Sequence, residues 1–163
     1  MEFEIATATS LELTDLEIWQ LLETVYVADG FARPEEAASL FEPSAVRNRG
    51  VILGAREKRQ ETLAGMIIIV PPSSPAKRLA QRDEAEIHLL GVLPEYRRHG
   101  LGRMLVEAAI DRAIQDGYSK VLLWTQASMS AAQALYESAG FSHIDDFTRN
   151  GRDFKVYEKL LQA

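Results

Sequence analysis

A turn near the middle of the chain carries the densest positive charge in the sequence. Residues 97–103 read Arg-Arg-His-Gly-Leu-Gly-Arg and join an apolar stretch to an amphipathic one. A helix begins with backbone N–H groups that lack an intrahelical acceptor and with a partial positive charge. Gly100 and Gly102 are expected to adopt positive φ, which lets the backbone approach a ligand closely. The turn is therefore predicted to bind a phosphate or pyrophosphate group between a strand and a helix.

Two common phosphate-binding loops do not fit this turn. A Walker loop ends in Gly-Lys-Ser or Gly-Lys-Thr, whereas Gly102 is followed by Arg103 and Met104. A dinucleotide-binding fingerprint needs a third glycine, and that position holds Leu105. Two glycines that only shape a tight turn remain the alternative on spacing alone.

Composition limits the classes of ligand. The formal net charge is −6, from 18 basic and 24 acidic residues, so a nucleic-acid partner is not expected. The local positive charge indicates a small anionic ligand instead. The chain has no cysteine, which excludes disulfides and thiolate metal sites, and we expect no metal. No apolar run approaches the roughly 20 residues that span a bilayer, so we expect a cytoplasmic protein without a membrane partner.

The elements that would position the turn are read from hydrophobic periodicity and from caps. A capping box of Ser130 and Gln133 is predicted at the start of the last helix. Mixed helices and hairpins indicate a mixed sheet and the α/β (α+β) class. The predicted strands are 2–8, 51–55, 63–70, 86–93, 121–125, 141–147 and 154–160, and the predicted helices are 15–28, a short one from Pro34, 101–115 and 130–139.

Two motifs in order resemble those of a known family. Arg97, Gly100 and Gly102, at the end of the stretch 85–103, match an Arg or Gln, two residues, Gly, one residue, then Gly or Ala. That signature resembles the acetyl-CoA-binding motif of the GNAT superfamily of N-acetyltransferases. The stretch 129–141 resembles the family's next motif through Ala132, Leu135, Tyr136, Gly140 and Phe141. The resemblance implies one GNAT-like domain over residues 1–163, with about seven strands, a splay between strands 4 and 5, and helices on both faces.

The resemblance also implies acetyl-CoA as cosubstrate, its pyrophosphate on the turn and its pantetheine arm between the splayed strands. Met129 departs from the family, which often has an asparagine there, so that contact is open. The residues implied in binding are Leu90, Gly91, Val92, Arg97, Arg98, His99, Gly100, Leu101, Gly102, Arg103 and Met129. A β-bulge is expected near Gly91, because glycine within a strand often marks one.

Catalytic roles follow from the same resemblance. Glu86 matches a carboxylate that acts as base directly or through water, and His88, on the same strand face, is the second choice. Tyr136 matches a tyrosine that protonates the leaving thiolate. The structural alternatives are a solvated strand-end glutamate, a packing histidine and a packing tyrosine. With no cysteine and no serine in a nucleophile elbow, direct attack in a ternary complex is expected.

The acceptor is predicted to be a primary amine on a small molecule or a peptide. The resemblance indicates that the acceptor is surrounded by Tyr26, Asp29, Phe31, Trp124 and the 145–153 loop. The carboxylate of Asp29 favours a cationic amine. Alternatively, Asp29 and Gly30 form a helix-ending turn, and Phe31 is a core residue. The rival functions are a non-catalytic acyl-CoA-binding sensor and a nucleotide-binding domain. A longer acyl donor and either a monomer or a homodimer also fit the sequence.

Overall fold

Seven strands form one mixed sheet in the computed structural model, which describes residues 1–161. The strands are β1 (Phe3–Thr7), β2 (Val51–Glu57), β3 (Leu63–Val70), β4 (Glu84–Val92), β5 (Lys120–Gln126), β6 (Ser142–Arg149) and β7 (Arg152–Leu160). Their spatial order is β1-β2-β3-β4-β5-β7-β6. Every neighbouring pair is antiparallel except β4 and β5, which are parallel. The predicted mixed sheet with a junction between the fourth and fifth strands is confirmed.

Five α-helices accompany the sheet: α1 (Asp15–Leu22), α2 (Pro34–Leu40), α3 (Pro43–Arg47), α4 (Leu101–Gln115) and α5 (Ser130–Ser138). The start of α1 is fixed by a capping box, in which Thr14 Oγ1 accepts from the Glu17 amide at 3.1 Å and Glu17 Oε1 accepts from the Thr14 amide at 3.0 Å. The prediction of one helix over 15–28 was wrong in type, because residues Glu23–Ala28 continue as a π-helix.

Helices cover both faces of the sheet, as predicted. One core lies under α1, α2 and α3, and the other lies under α4 and α5. Strand β3 is buried along its whole length because it contributes side chains to both cores. Among the residues that the structure describes, no helix is both long and apolar enough to cross a bilayer.

Two local predictions were wrong. Helix α3 was missed, since five residues are too few to show a helical period. The capping box at Ser130 does not form, and Met129 occupies the N-cap position without a side-chain bond. The side-chain amide of Gln133 instead donates to the carbonyls of Gln126 at 3.0 Å and Ala127 at 2.9 Å. These bonds hold the loop that follows β5 against α5.

Candidate active site

A gap opens between β4 and β5 soon after the two strands meet. Their parallel pairing consists of three residue pairs, from Glu84 with Lys120 to Glu86 with Leu122. Beyond them, residues 87–92 of β4 and 123–126 of β5 have no partner across the junction, although each strand stays paired on its other side. The sheet therefore presents backbone groups from two strands to one internal opening.

A β-bulge shapes the β4 side of the gap. Met66 pairs with Gly91 and Ile68 with His88, so Leu89 and Leu90 together face one residue of β3. Leu89 takes a left-handed φ of 52°, which is uncommon for this residue type. The bulge lies directly before Gly91, where the sequence predicted it. The hydroxyl of Tyr26, from the π-helical segment, donates to the Leu90 carbonyl at 2.9 Å and supports the bulge from one side.

A pocket of about 140 Å³ fills the gap, and Tyr136 of α5 lines it together with residues of both strands. The Tyr136 ring is buried and packs edge-on against Phe141, with ring centroids 5.8 Å apart. Burial, assisted by the nearby Tyr26, raises the pKa of the Tyr136 phenol. The phenol is thus protonated at neutral pH and available as a proton donor inside the pocket.

The glycine turn lies where β4 leads into α4. Gly100 is the N-cap of α4 and has a φ of +76°, as predicted. Gly102, the other glycine that could adopt positive φ, does not do so, because it is the second residue of the helix. A Cβ at Gly102 would lie 3.1 Å from a methyl carbon of Leu135, so this glycine provides space beside α5. The first helical bond runs from the Met104 amide to the Gly100 carbonyl at 3.0 Å, which leaves the three preceding amides without helical acceptors.

The basic side chains of the turn have different surroundings. Arg97 is fastened to the protein: its Nε donates to the Val92 carbonyl at 3.0 Å and its Nη2 pairs with Asp29 at 2.9 Å. Arg103 reaches Glu107 at 2.9 Å and the Ser138 hydroxyl at 3.1 Å, which ties α4 to α5. Arg98 and His99 are exposed, and Arg98 has a left-handed φ of 67°.

Glu86 lies on β4 at the closed end of the gap and is fully buried. Its Oε2 accepts hydrogen bonds from the amides of Arg78, Leu79 and Ala80 at 2.5–2.9 Å. Its Oε1 lies 2.8 Å from Nε2 of His88. Burial raises the pKa of Glu86, but the hydrogen bonds from His88 and from the amides outweigh burial and leave the pKa below its ordinary value. Glu86 is therefore an ionised carboxylate with both oxygens engaged.

His88 joins this carboxylate to Arg49, a residue that sequence reasoning missed. Nη1 of Arg49 lies 3.0 Å from Nδ1 of His88. A guanidinium can only donate and a carboxylate can only accept, so the ring accepts at Nδ1 and donates from Nε2–H. Burial, together with the charge of Arg49, outweighs Glu86 and lowers the pKa of His88. The imidazole is neutral, and both of its nitrogens are occupied.

A wider cleft of about 530 Å³ adjoins the pocket, and the two share the side chains of Tyr26, Arg49 and Trp124. Phe31 also lines the cleft, so three of the four residues predicted around the acceptor lie together. Asp29 is not among the lining residues and pairs with Arg97 instead. Trp124 packs edge-on against His88, with ring centroids 4.8 Å apart. Arg149 and Arg152 lie in the segment 145–153 that was predicted around the acceptor, although they end β6 and begin β7 and most of that segment is strand instead of loop. The other arginines of the cleft were missed, because they come from separate parts of the chain.

Met129 is the N-cap residue of α5 and lines the pocket. Its sulfur accepts a 3.5 Å hydrogen bond from the hydroxyl of Thr125 on β5. The side chain is half-buried and, unlike an asparagine, offers the pocket no strong hydrogen-bond donor. Met129 therefore lies where the sequence predicted a residue of the binding site, but its side chain gives the pocket an apolar surface.

Comparison with known proteins gives consistent results for this fold. The sequence profile of the "Acetyltransferase (GNAT) family" matches residues 16–141. Mycothiol acetyltransferase of Kocuria rhizophila is 34% identical over 125 residues, which are 74% of this chain and 38% of that protein. The ribosomal-protein-S18-alanine N-acetyltransferase structure from Escherichia coli superposes with a TM-score of 0.71 at 22% identity, over 99% of this chain and 96% of that one.

A further solved structure of this fold is a complex with CoA. A Bacillus subtilis acetyltransferase in complex with CoA superposes with a TM-score of 0.70 at 20% identity, over 99% of this chain and 100% of the other. At this identity the superposition establishes the shared fold alone. The chain spans about two fifths of the length of the curated relatives that it matches.

Proposed function

Because the chain belongs to the acetyltransferase (GNAT) family, we propose that it transfers an acetyl group from acetyl-CoA to a primary amine by direct attack in a ternary complex. The observation that carries the proposal is the gap between β4 and β5, whose pocket brings Tyr136 next to unpaired strand backbone. An extended amide-containing chain can use such backbone as a strand would.

The chain's own groups suit coenzyme A at two places. The amides at the start of α4, with left-handed Gly100 before them, can receive a pyrophosphate, and the exposed Arg98 adds positive charge beside the exposed His99. The bulge at Leu90, with Gly91 and Val92 after it, can hold the pantetheine amides. The proposed binding set is Leu90, Gly91, Val92, Arg97, Arg98, His99, Gly100, Leu101, Gly102, Arg103 and Met129.

Tyr136 is the proposed proton donor to the sulfur that leaves. Its raised pKa keeps the donor form fully populated, and the same raised pKa opposes complete transfer to a thiolate whose own pKa is near 8.5. The phenol therefore acts by a hydrogen bond that strengthens as charge develops on the sulfur, with proton transfer late in the step. The backbone amide of Val92 is the proposed donor to the thioester oxygen.

Glu86 is proposed to act through His88 instead of touching the amine. A buried carboxylate with both oxygens engaged and a lowered pKa is a weak proton acceptor. His88 also has both ring nitrogens occupied. The proton of the attacking amine is therefore assigned to water in the open cleft, and Glu86 and His88 are positioning residues for Arg49.

Calorimetry with acetyl-CoA and CoA tests the binding part. Gly102→Trp would fill the space beside Leu135, and Arg98→Glu would place a negative charge on the turn while leaving the helix backbone unchanged. Arg82→Glu is the matched control. It makes the same charge change at the other end of the nine-residue β4, about 30 Å away and beyond the screening length. We expect Gly102→Trp and Arg98→Glu to bind both ligands at least about tenfold more weakly than the wild type. Arg82→Glu should bind them with wild-type affinity.

An amine screen that follows thiol release tests the transfer part. Release that depends on both acetyl-CoA and an amine supports the enzyme. Binding of acetyl-CoA without transfer to any amine would instead favour the sensor. A stable, folded wild type that binds neither acetyl-CoA nor CoA would remove the basis of the whole proposal.

A further inference from the structure

The cleft beside the gap has a charge opposite to that of the chain. Among the residues that line it, one is acidic, Glu36, and five are arginines: Arg33, Arg49, Arg78, Arg149 and Arg152. The chain as a whole has a formal net charge of −6. A concave surface of one sign raises the local concentration of ligands of the other sign. The cleft is therefore built to attract an anion.

The single carboxylate does not neutralise this group. Glu36 Oε1 lies 3.5 Å from Nε of Arg33 and 4.0 Å from Nη2 of Arg152, so two arginines share it. Arg152 also donates to the Phe31 carbonyl, which fixes its guanidinium at the cleft wall. Within residues 1–161, no carboxylate lies within ion-pair distance of Arg49, Arg78 or Arg149.

Arg49 is the innermost of these cations. It is half-buried, and its two nitrogen contacts are with neutral acceptors, His88 Nδ1 at 3.0 Å and the Leu40 carbonyl at 3.3 Å. Burial lowers the pKa of Arg49, which reflects the cost of holding a cation away from water without a counter-ion. A bound anion would offset this cost, and a guanidinium suits carboxylate and phosphate oxygens in two-point geometry.

The position of Arg49 relates this charge to the chemistry. Arg49 lines both the cleft and the smaller pocket that contains Tyr136. A molecule whose anionic group binds Arg49 from the cleft would therefore lie directly beside the pocket that contains Tyr136. None of the cleft residues comes from the turn 97–103, so the arginines are separate from the proposed site for the pyrophosphate.

Resting on the acetyl transfer proposed above, we propose that the acceptor is a primary amine that also carries a carboxylate or phosphate group, held by Arg49, Arg149 and Arg152. This charge preference is the reverse of the cationic amine that Asp29 suggested from the sequence. The same chemistry is found in a free acidic amino acid and in a peptide whose N-terminal residue is acidic.

Initial rates with charge-matched acceptor pairs test the proposal. In each pair only the first member carries an anionic group: the α-amides of glutamate and glutamine, of aspartate and asparagine, and of O-phosphoserine and serine, and the tripeptide amides Glu-Ala-Ala and Gln-Ala-Ala. Lysine amide and spermidine are the cationic acceptors used for comparison. We expect kcat/KM for at least one anionic member to exceed that of its neutral partner by about tenfold or more. Preference for the amino acid or for the tripeptide identifies the source of the anion, and either one supports the proposal.

Variants connect the preference to the arginines. Arg49→Lys keeps the charge and loses the two-point geometry, and Arg149→Gln removes a charge at an exposed position that is tolerant of change. Each is expected to lower, by about 10- to 100-fold, the ratio of kcat/KM for the preferred anionic acceptor to kcat/KM for its partner without the anionic group. Arg59→Gln, exposed in the turn between β2 and β3, is the control and should match the wild type.

Binding of the acetylated product tests the anion site independently of acetyl transfer. Calorimetry with the α-amides of N-acetylglutamate and N-acetylglutamine needs no turnover, and the glutamate product should bind at least about tenfold more tightly, with the difference lost in Arg49→Lys. Selective binding of the glutamate product without transfer to any amine would support the anion site and contradict the proposed acetyl transfer. Transfer that favours neutral or cationic amines, or equal binding of the two products, would overturn the anion site alone.

Discussion

Nη1 of Arg49 lies 3.0 Å from Nδ1 of His88, which joins the loop before β2 to the central strand β4. The contact is the outer end of a chain of hydrogen bonds that all donate inward. Arg49 donates to His88, and His88 and three backbone amides donate to Glu86. The buried carboxylate thus fixes the tautomer of the ring, and the ring fixes the direction of the guanidinium in the cleft.

Glu86→Gln should break this chain, because a carboxamide carries donors as well as an acceptor. If its NH₂ faces the three amides, donors oppose donors. If its NH₂ faces Nε2, the ring proton moves to Nδ1 and opposes Arg49. We expect the free energy of unfolding, measured with urea, to fall by about 1–3 kcal/mol.

Glu84→Gln is the control for this substitution. It lies two residues earlier on β4, where Glu84 makes a 3.6 Å ion pair with Lys120 and accepts a 2.9 Å hydrogen bond from the Gln81 amide that a carboxamide oxygen can keep. Its loss should change the free energy of unfolding by less than about 1 kcal/mol. Equal stabilities of the two variants would contradict the inward-donating chain.

Stability should fall as pH drops below about 6.5, the ordinary pKa of histidine. Burial lowers the pKa of His88 in the folded state, with Arg49 and Glu86 as the charged groups that face the ring. The unfolded chain then binds more protons than the folded one below pH 6.5, so acid favours unfolding. The free energy of unfolding should decline with a slope that approaches about 1.4 kcal/mol per pH unit.

His88→Gln should flatten that decline between pH 7 and pH 5.5. His99→Gln, at an exposed position of the turn, should keep the wild-type slope. Glu86 also has a lowered pKa, and its contribution is lost at lower pH, as the carboxylate protonates below its ordinary pKa of about 4.3. A wild-type stability that is constant from pH 7 to pH 5.5 would contradict a neutral, buried His88.

Tyr136→Phe should lower kcat by about 100-fold or more and leave acetyl-CoA affinity within about twofold. The phenol donates only as the sulfur leaves, so its loss affects the transition state more than the bound ground state. Because burial raises the pKa of Tyr136, loss of its proton should not lower wild-type kcat below about pH 10. Tyr96→Phe, which removes a 3.4 Å bond to Gln60, is the control and should retain kcat.

Gly65→Ala should weaken acetyl-CoA binding through the strand next to the gap. A Cβ at Gly65 would lie 2.9 Å from the Gly91 carbonyl oxygen, which is backbone and moves only if β4 moves. We expect a loss of about 1–3 kcal/mol in the free energy of unfolding and a measurable rise in the Kd for acetyl-CoA. Gly117→Ala meets no atom within 4 Å, so its backbone strain should cost stability without changing that Kd.

The sequence predicted the sheet and the long helices because their signals are local. The Thr14 cap, the four-residue repeat of polar positions along α4 and the β-branched runs of β2 and β3 each act within a few residues. The same holds for the bulge, which Gly91 marks. The π-helical segment was missed, because no local pattern in residues 23–28 separates a π-helix from an α-helix, and the departure is accompanied by tertiary contacts such as Tyr26 with Leu90.

The acceptor side of the site could not be predicted in this way. Arg49 has no local pattern that separates it from Arg47 two residues earlier, which pairs with Asp15 at 2.7 Å on the surface. Arg49 and Arg149 are 100 positions apart and line the same cleft only because β2 and β6 belong to one sheet. Asp29 was placed near the acceptor by the family resemblance, whereas in the structure it pairs with Arg97.

The three residue pairs between β4 and β5 also give the sheet two inner edges. An exposed strand edge usually invites pairing with another polypeptide, which is a route to aggregation. Here the unpaired stretches 87–92 and 123–126 face each other, and each is backed by its own paired strand. A foreign strand would have to thread between them, whereas a narrow, flexible molecule can slide in from one end. The fold thus leaves two unpaired strand edges accessible to a narrow molecule and shielded from pairing with a strand of another polypeptide.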